Sequence, residues 1–202
     1  MIITVRKING GNLAGGNPSR GRVKNDFYAT KPSDTHAFLD QLEQDGFDLN
    51  NQTILEPCAG MGHITDVLLE RTHGTIIESY DIDPLRDDIL YNDYLNDSLN
   101  KHYDIVFTNP PFKLAKEFID RSLSIADKVF IFAKIQFLEG VNRKEWFKQL
   151  PLKYVYVYSF RATPLRNGQE TDENGKKWAS TMCFAWYVFD NEYDGEPIVR
   201  WI

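Results

Sequence analysis

From Thr53 onward the chain alternates short apolar runs with amphipathic stretches, and that alternation limits the folds open to it. An apolar run over 53–59 is followed by Ile64, Val67 and Leu68 at helical spacing within 62–71. A second run covers 75–82 and a short third one falls within 89–95. The fourth, Tyr103-Asp104-Ile105-Val106-Phe107-Thr108, ends just before a proline pair. Leu114, Phe118, Ile119, Leu123 and Ile125 then mark a helix over 113–126. A fifth strand is expected over 128–135 and a helix near 143–150. This repetition implies a mostly parallel sheet covered by helices. The last two main strands, 154–160 and 182–190, are joined by a polar loop instead of a helix. They are expected to form an antiparallel terminal hairpin on a seven-stranded, doubly wound α/β sheet. Residues 197–202 can add a short further strand.

The 202 residues suit one domain with a full core. Hydrophobic residues make up 42%, which excludes global disorder. No apolar run approaches the roughly 18 residues needed to cross a bilayer. The first residues lack the charged-then-apolar order of a signal peptide. A cytoplasmic protein is therefore expected, with Cys58 and Cys183 as buried free thiols. The net charge of −6 conceals a segregation. Arg6, Lys7, Arg20, Arg22, Lys24 and Lys31 face only Asp26 in the first 31 residues. With Gly10, Gly11, Gly15, Gly16 and Gly21, residues 1–25 read as a flexible basic arm, and 26–202 as a single domain. A positive arm on an acidic body can hold a polyanion locally.

Chemistry-bearing residues fall at successive strand ends. Glu56-Pro57-Cys58-Ala59-Gly60-Met61-Gly62 closes the first strand, and its glycines permit a tight turn and close approach of a ligand. It lacks the third glycine of a dinucleotide fingerprint and the Gly-Lys-Ser/Thr of a P-loop. An acid before the glycines suits a cationic ligand better than a phosphate. Asp81 ends the second strand, where a carboxylate can accept from ribose hydroxyls. Ile82 would flank an adenine ring, Asp93 would accept from its amino group, and Tyr94 would cover it. Asn109-Pro110-Pro111-Phe112 ends the fourth strand. The Asn amide oxygen and the Pro110 carbonyl are two acceptors for the two donors of a planar NH2. The prolines freeze the turn, and Phe112 offers a flat face to a base. His36, His63, His73 and His102 are scattered and lack metal-ligand spacing.

Taken together, these motifs resemble the class I S-adenosylmethionine-dependent methyltransferases. Within them they look like the small phage-type DNA adenine-N6 enzymes, over roughly residues 25–202. The resemblance implies a Rossmann-like fold and Asn109, Pro110, Pro111 and Phe112 as the catalytic motif. It implies a cofactor site built from Glu56, Pro57, Gly60, Gly62, Asp81, Ile82, Asp93, Tyr94 and Asn109. Upstream, Asp26-Phe27-Tyr28-Ala29-Thr30-Lys31-Pro32 resembles the segment that touches the methionine moiety, which implicates Tyr28 and Thr30. Ser33 suits the N-cap of a helix through Leu42. Phe132 to Gly140 and Phe184 to Phe189 also look like late segments of the phage-type enzymes.

The expected substrate is DNA, with the target base flipped out of the duplex. Lys113, Arg143 and the loop residues Arg161, Arg166, Lys176, Lys177 and Trp178 are the expected nucleic-acid contacts. No separate target-recognition domain is visible, so selectivity is short, loose or supplied by a partner subunit. The same Asn-Pro-Pro-aromatic turn serves enzymes that methylate RNA bases or protein glutamine. A catalytically silent binding module is the alternative from another class. The expected setting is a bacterial or phage-infected cell, in restriction protection or regulation.

Overall fold

The computed structural model describes residues 28–97, 101–166, 168–171, 173–177 and 182–202. The basic arm, Asp26, Phe27 and Trp178 lie outside the described residues, as does the side chain of Arg166. The chain runs β1 (Tyr28–Ala29), α1 (Pro32–Gln44), β2 (Thr53–Glu56), α2 (His63–Arg71), β3 (Ile76–Asp81) and β4 (Leu90–Tyr91). It continues with β5 (Tyr103–Thr108), α3 (Ala115–Ile125), β6 (Ala126–Lys134), a 3-10 turn (Ile135–Leu138) and α4 (Val141–Phe147). The remaining strands are β7 (Leu152–Val157), β8 (Leu165–Arg166), β9 (Phe184–Asp190) and β10 (Ile198–Trp201).

Eight strands form the main sheet, in the order β10-β7-β9-β6-β5-β2-β3-β4. This corrects the expectation of seven, because β10 adds in parallel register to β7, from Ile198 opposite Tyr154 to Trp201 opposite Val157. The expected antiparallel pairing of the last two main strands is present near one end of the sheet, β7 against β9. Strand β9 lies between β6 and β7 and is antiparallel to both. All seven of its residues, Phe184 to Asp190, are buried, and a strand apolar on both faces belongs in a sheet interior. β10 alternates half-buried and exposed residues, as an edge strand does. β1 and β8 form a separate antiparallel pair, with Tyr28 opposite Arg166 and Ala29 opposite Leu165.

The period of two along each central strand builds two cores. Ile105, Phe107, Phe130, Phe132, Trp186 and Val188 point toward α1 and α2. Val106, Val129, Ile131, Tyr187 and Phe189 point toward α3. Phe38 of α1 is the keystone of the first core. Its ring stacks on Trp186 at 4.5 Å and 5° and meets Tyr156 edge-on at 5.3 Å. Phe38→Ala is expected to cost about 3–5 kcal/mol, the usual penalty for emptying a packed aromatic site. The shift of the denaturant midpoint measures it.

Local chemistry corrects two smaller expectations. Helix α1 begins at Pro32, with Lys31 as its cap residue and no side-chain cap, so Ser33 lies inside the first turn. Proline at the first helical position has no N–H to leave unsatisfied and already has a helical φ. Cys183 is exposed and Cys58 half-buried, and both are free. Cys183 falls just before β9, outside the buried run. No helix among the described residues is long and apolar enough to cross a membrane.

Candidate active site

The carboxyl ends of β2, β3 and β5 lie side by side, because β2 pairs in parallel with both β3 and β5. The turn after β2 adopts left-handed backbone at Gly60 (φ 54°) and Gly62 (φ 76°). A Cβ at Gly62 would run into the Arg86 guanidinium. That guanidinium donates to the Met61 carbonyl at 3.1 Å and to Asp66 at 2.8 Å, tying the turn to the segment after β3. Asp81 is held between two backbone donors. Its carboxylate accepts from Gly60 N–H at 2.8 Å and from Asp83 N–H at 2.8 Å. Ile82, next in the chain, is 55% exposed. The structure thus brings Gly60, Gly62, Asp81 and Ile82 to one rim.

Glu56, the last residue of β2, is buried. It is 1% exposed and accepts from Thr65 Oγ1, whose oxygen also lies 2.7 Å from Ser79 Oγ. Burial pushes its carboxyl up to about 8, outweighing the Thr65 bonds that favour the charged form. The folded value lies above the usual 4.5, so the folded state keeps a proton that the unfolded chain releases. The stability this proton confers is complete at low pH. It is lost as pH rises from about 4.5 through about 8. Glu56→Gln keeps the shape and the acceptor for Thr65 without the titration. The variant's stability relative to the parent should rise across that window, by up to about 1.4 kcal/mol per pH unit. Denaturant titrations at pH 5 and pH 8 decide it, and equal differences at both would refute the assignment.

Asp93 and Tyr94 part company. Asp93 is half-buried and accepts from Asn96 Nδ2 at 2.9 Å. Tyr94 is 3% exposed, packs on Phe118 at 5.1 Å and shares a hydrogen bond with Ser122 at 2.8 Å. Arg121 lies over its ring at 5.0 Å, so no face is left to cover a ligand. This corrects the expected role of Tyr94. A residue the sequence reading did not use stands beside it. Asn92 is buried, gives its amide nitrogen to Asp97, and keeps Oδ1 without a partner among the described residues.

At the end of β5, Asn109 Nδ2 donates to the Tyr28 carbonyl at 2.7 Å and to Thr30 Oγ1 at 3.1 Å. A carbonyl only accepts, so the amide must present its nitrogen to Tyr28 and its oxygen elsewhere. Pro110 is buried and Pro111 half-buried. Phe112 stacks with Tyr28 at 5.9 Å and 21°, tilts against Phe184 at 5.7 Å, and carries Lys134 Nζ 4.6 Å from its ring centre. Tyr28, Thr30, Asn109 and Phe112 therefore form one packed group.

No family model matches the sequence, and no curated protein matches it significantly. Solved structures do. A Listeria monocytogenes protein described as a class I S-adenosylmethionine-dependent methyltransferase matches with a TM-score of 0.61 and 14% identity. The match covers 86% of this chain and 64% of that one, so this chain spans less than two thirds of that protein's length. A Pyrococcus horikoshii protein described as an RNA methyltransferase matches with a TM-score of 0.59 and 16% identity, over 81% of this chain and 86% of that one. The chain has the class I methyltransferase fold. A chain from a type I R-M system assembly shares this methyltransferase fold with a TM-score of 0.51 and 14% identity, over 88% of this chain and 44% of that one.

On this methyltransferase fold the expected nucleic-acid residues divide. Lys113 is exposed just beyond Phe112. Arg143 is committed elsewhere. Its guanidinium donates to the carbonyls of Gln136, Phe137 and Glu139 at 3.4, 3.2 and 3.2 Å and lies 4.8 Å over the Phe137 ring. It staples the 3-10 turn, which corrects its assignment as a nucleic-acid contact. Arg161 donates to the Met182 carbonyl at 3.2 Å and to Cys183 Sγ at 3.1 Å. Lys176 and Lys177 are exposed. The loop that carries them crosses the site, because β8 pairs with β1 and a Cβ at Gly168 would strike Met61 beside the glycine turn. The sequence gives no periodic signal for two-residue strands, and this bridge was not foreseen.

Proposed function

We propose that this chain transfers the methyl group of S-adenosylmethionine to the N6 amino group of adenine in DNA. One observation carries the reading. The Asn109 amide nitrogen is fixed by Tyr28 and Thr30, which leaves Oδ1 as a directed acceptor beside the rigid Pro110. S-adenosylmethionine supplies an electrophilic methyl carbon on a sulfonium. The residues present fit that molecule: Asp81 for the ribose hydroxyls, exposed Ile82 for the adenine face, and the Gly60–Gly62 backbone for close approach. Asp93, Tyr28 and Thr30 belong to the same reading.

Asn109 Oδ1 and the Pro110 carbonyl would take the two N–H groups of the target amine. That grip favours a tetrahedral nitrogen with its lone pair turned toward the methyl carbon. The rate gain comes from positioning and fixed dipoles rather than from a general base, because the product ammonium sheds its proton to water readily. The aromatic group of Phe112 and Tyr28 would line the wall against a base flipped from the duplex.

The test is mass spectrometry of nucleosides from DNA incubated with the protein and S-adenosylmethionine. N6-methyladenosine as the deoxynucleoside is the expected product, and its absence sinks the reading. RNA is the second substrate to assay, supported by the likeness to a protein described as an RNA methyltransferase. The likeness to a chain of a type I R-M system supports a partner subunit that selects the target sequence. Lys113, Arg161, Arg166, Lys176 and Lys177 are the proposed phosphate contacts, and the proposed setting is the cytoplasm.

A further inference from the structure

A second cavity opens beside the catalytic turn and takes no part in the mechanism above. It has a volume of about 320 Å³, within the range of small-ligand sites. Lys31 and Asp34 line it from the start of α1, and Phe160, Arg161, Glu170 and Lys177 line it from the segment after β7. Its position is tied to the site. Lys31 follows Thr30, whose hydroxyl accepts from Asn109, and Leu165 on its wall pairs with Ala29.

Three features of the lining bear on what it could hold. Asp34 is 4% exposed, yet among the described residues its carboxylate receives one hydrogen bond, from Ser33 Oγ at 3.3 Å. Burial pushes that carboxyl up to about 6. A buried acid that served only the fold would be surrounded by donors. Its backbone is firmly placed, since the Tyr158 hydroxyl donates to the Asp34 carbonyl at 2.6 Å. Phe160 is 48% exposed, held edge-on by Tyr158 at 5.0 Å. Lys31 pairs with Glu170 at 2.7 Å, and Arg161 and Lys177 add further positive charge around the mouth.

An aromatic face, an acceptor-only group and surrounding cations match the three parts of a nucleotide. We infer that this cavity holds a second, unstacked nucleotide of the strand that carries the target base. Its ring rests on Phe160, its exocyclic amino group donates to Asp34, and its phosphate lies against Lys31, Arg161 and Lys177. The inference rests on the nucleic-acid reading above. A carboxylate only accepts, so it selects a base with an amino group, such as cytosine through N4, over thymine, which presents a carbonyl. The subsite therefore confers a preference for the neighbouring base.

The test uses the full chain saturated with S-adenosylhomocysteine and fluorescein-labelled oligodeoxycytidine and oligothymidine, read by anisotropy. The wild type should bind the cytidine oligomer about 5- to 10-fold more tightly. Asp34→Asn, whose amide can both donate and accept, should remove most of that difference. Phe160→Ala, at an exposed position, should weaken both oligomers by about 5-fold or more, as loss of a stacking face does. Both variants should keep their affinity for S-adenosylhomocysteine and their melting temperature. Equal binding of the two oligomers by the wild type, or a preference unchanged in Asp34→Asn, would overturn the subsite. Methylation of DNA without that preference leaves the enzyme reading intact and removes only this inference. An Asp34-dependent preference without methylation of any nucleic acid does the reverse.

Discussion

Asn109→Ala is expected to abolish methyl transfer while S-adenosylhomocysteine still binds, weakened only by the release of Tyr28 and Thr30. Removing a preorganised polar group at a reacting centre typically costs about 100- to 1,000-fold in turnover. Here the loss should reach the upper end, because the amide does two things. Its oxygen would grip the target amine, and its nitrogen holds Tyr28 and Thr30. Asn109→Asp separates the two. A carboxylate keeps acceptors but cannot donate to the Tyr28 carbonyl, and it leaves that carbonyl and the carboxylate facing each other. The Asp variant should therefore be as inactive as the Ala variant. Single-turnover assays with tritiated cofactor, together with calorimetric titration of S-adenosylhomocysteine, measure both effects. Near-normal turnover in either variant would remove Asn109 from the catalytic role.

Asp81→Ala should have the next largest effect, and on binding instead of turnover. The carboxylate accepts from Gly60 N–H and Asp83 N–H and so shapes the glycine turn, and its remaining lone pairs would serve the proposed ribose hydroxyls. Hydrogen bonds to a charged group are each worth about 1.5–3 kcal/mol. Loss of S-adenosylhomocysteine affinity by roughly 100-fold is expected from the ribose contacts together with a loosened turn. Asp81→Asn should lose less, because an amide oxygen can still accept from Gly60. Calorimetric titrations that show unchanged affinity in Asp81→Ala would rule out a cofactor role for this carboxylate.

The sheet was legible wherever burial imposed a long periodic run. Strand β5 falls at Tyr103–Thr108, where the apolar pattern put it. β6 and α3 lie within a residue or two of expectation, because each exposes a consistent face to one core. The strand ends that carry Gly60, Asp81 and Asn109 were legible for the same reason. Strand order was not. That β9 inserts between β6 and β7 depends on the burial of both its faces, which pairing decides and local sequence does not. Side chains whose type advertises chemistry were the least legible. Tyr94 satisfies its hydroxyl with Ser122, and Arg143 satisfies its guanidinium with three carbonyls of a nearby turn. Both partners become neighbours only when the chain is folded.

The bond from Asn109 to the Tyr28 carbonyl spans 81 positions of the chain. Contacts so distant in sequence carry a larger loop-closure cost than local ones. Among the described residues the two-residue strand that carries Tyr28 pairs with β8, itself far along the chain. The amide is aimed from outside the main sheet, by Tyr28 of the small β1–β8 pair and by Thr30 just after it.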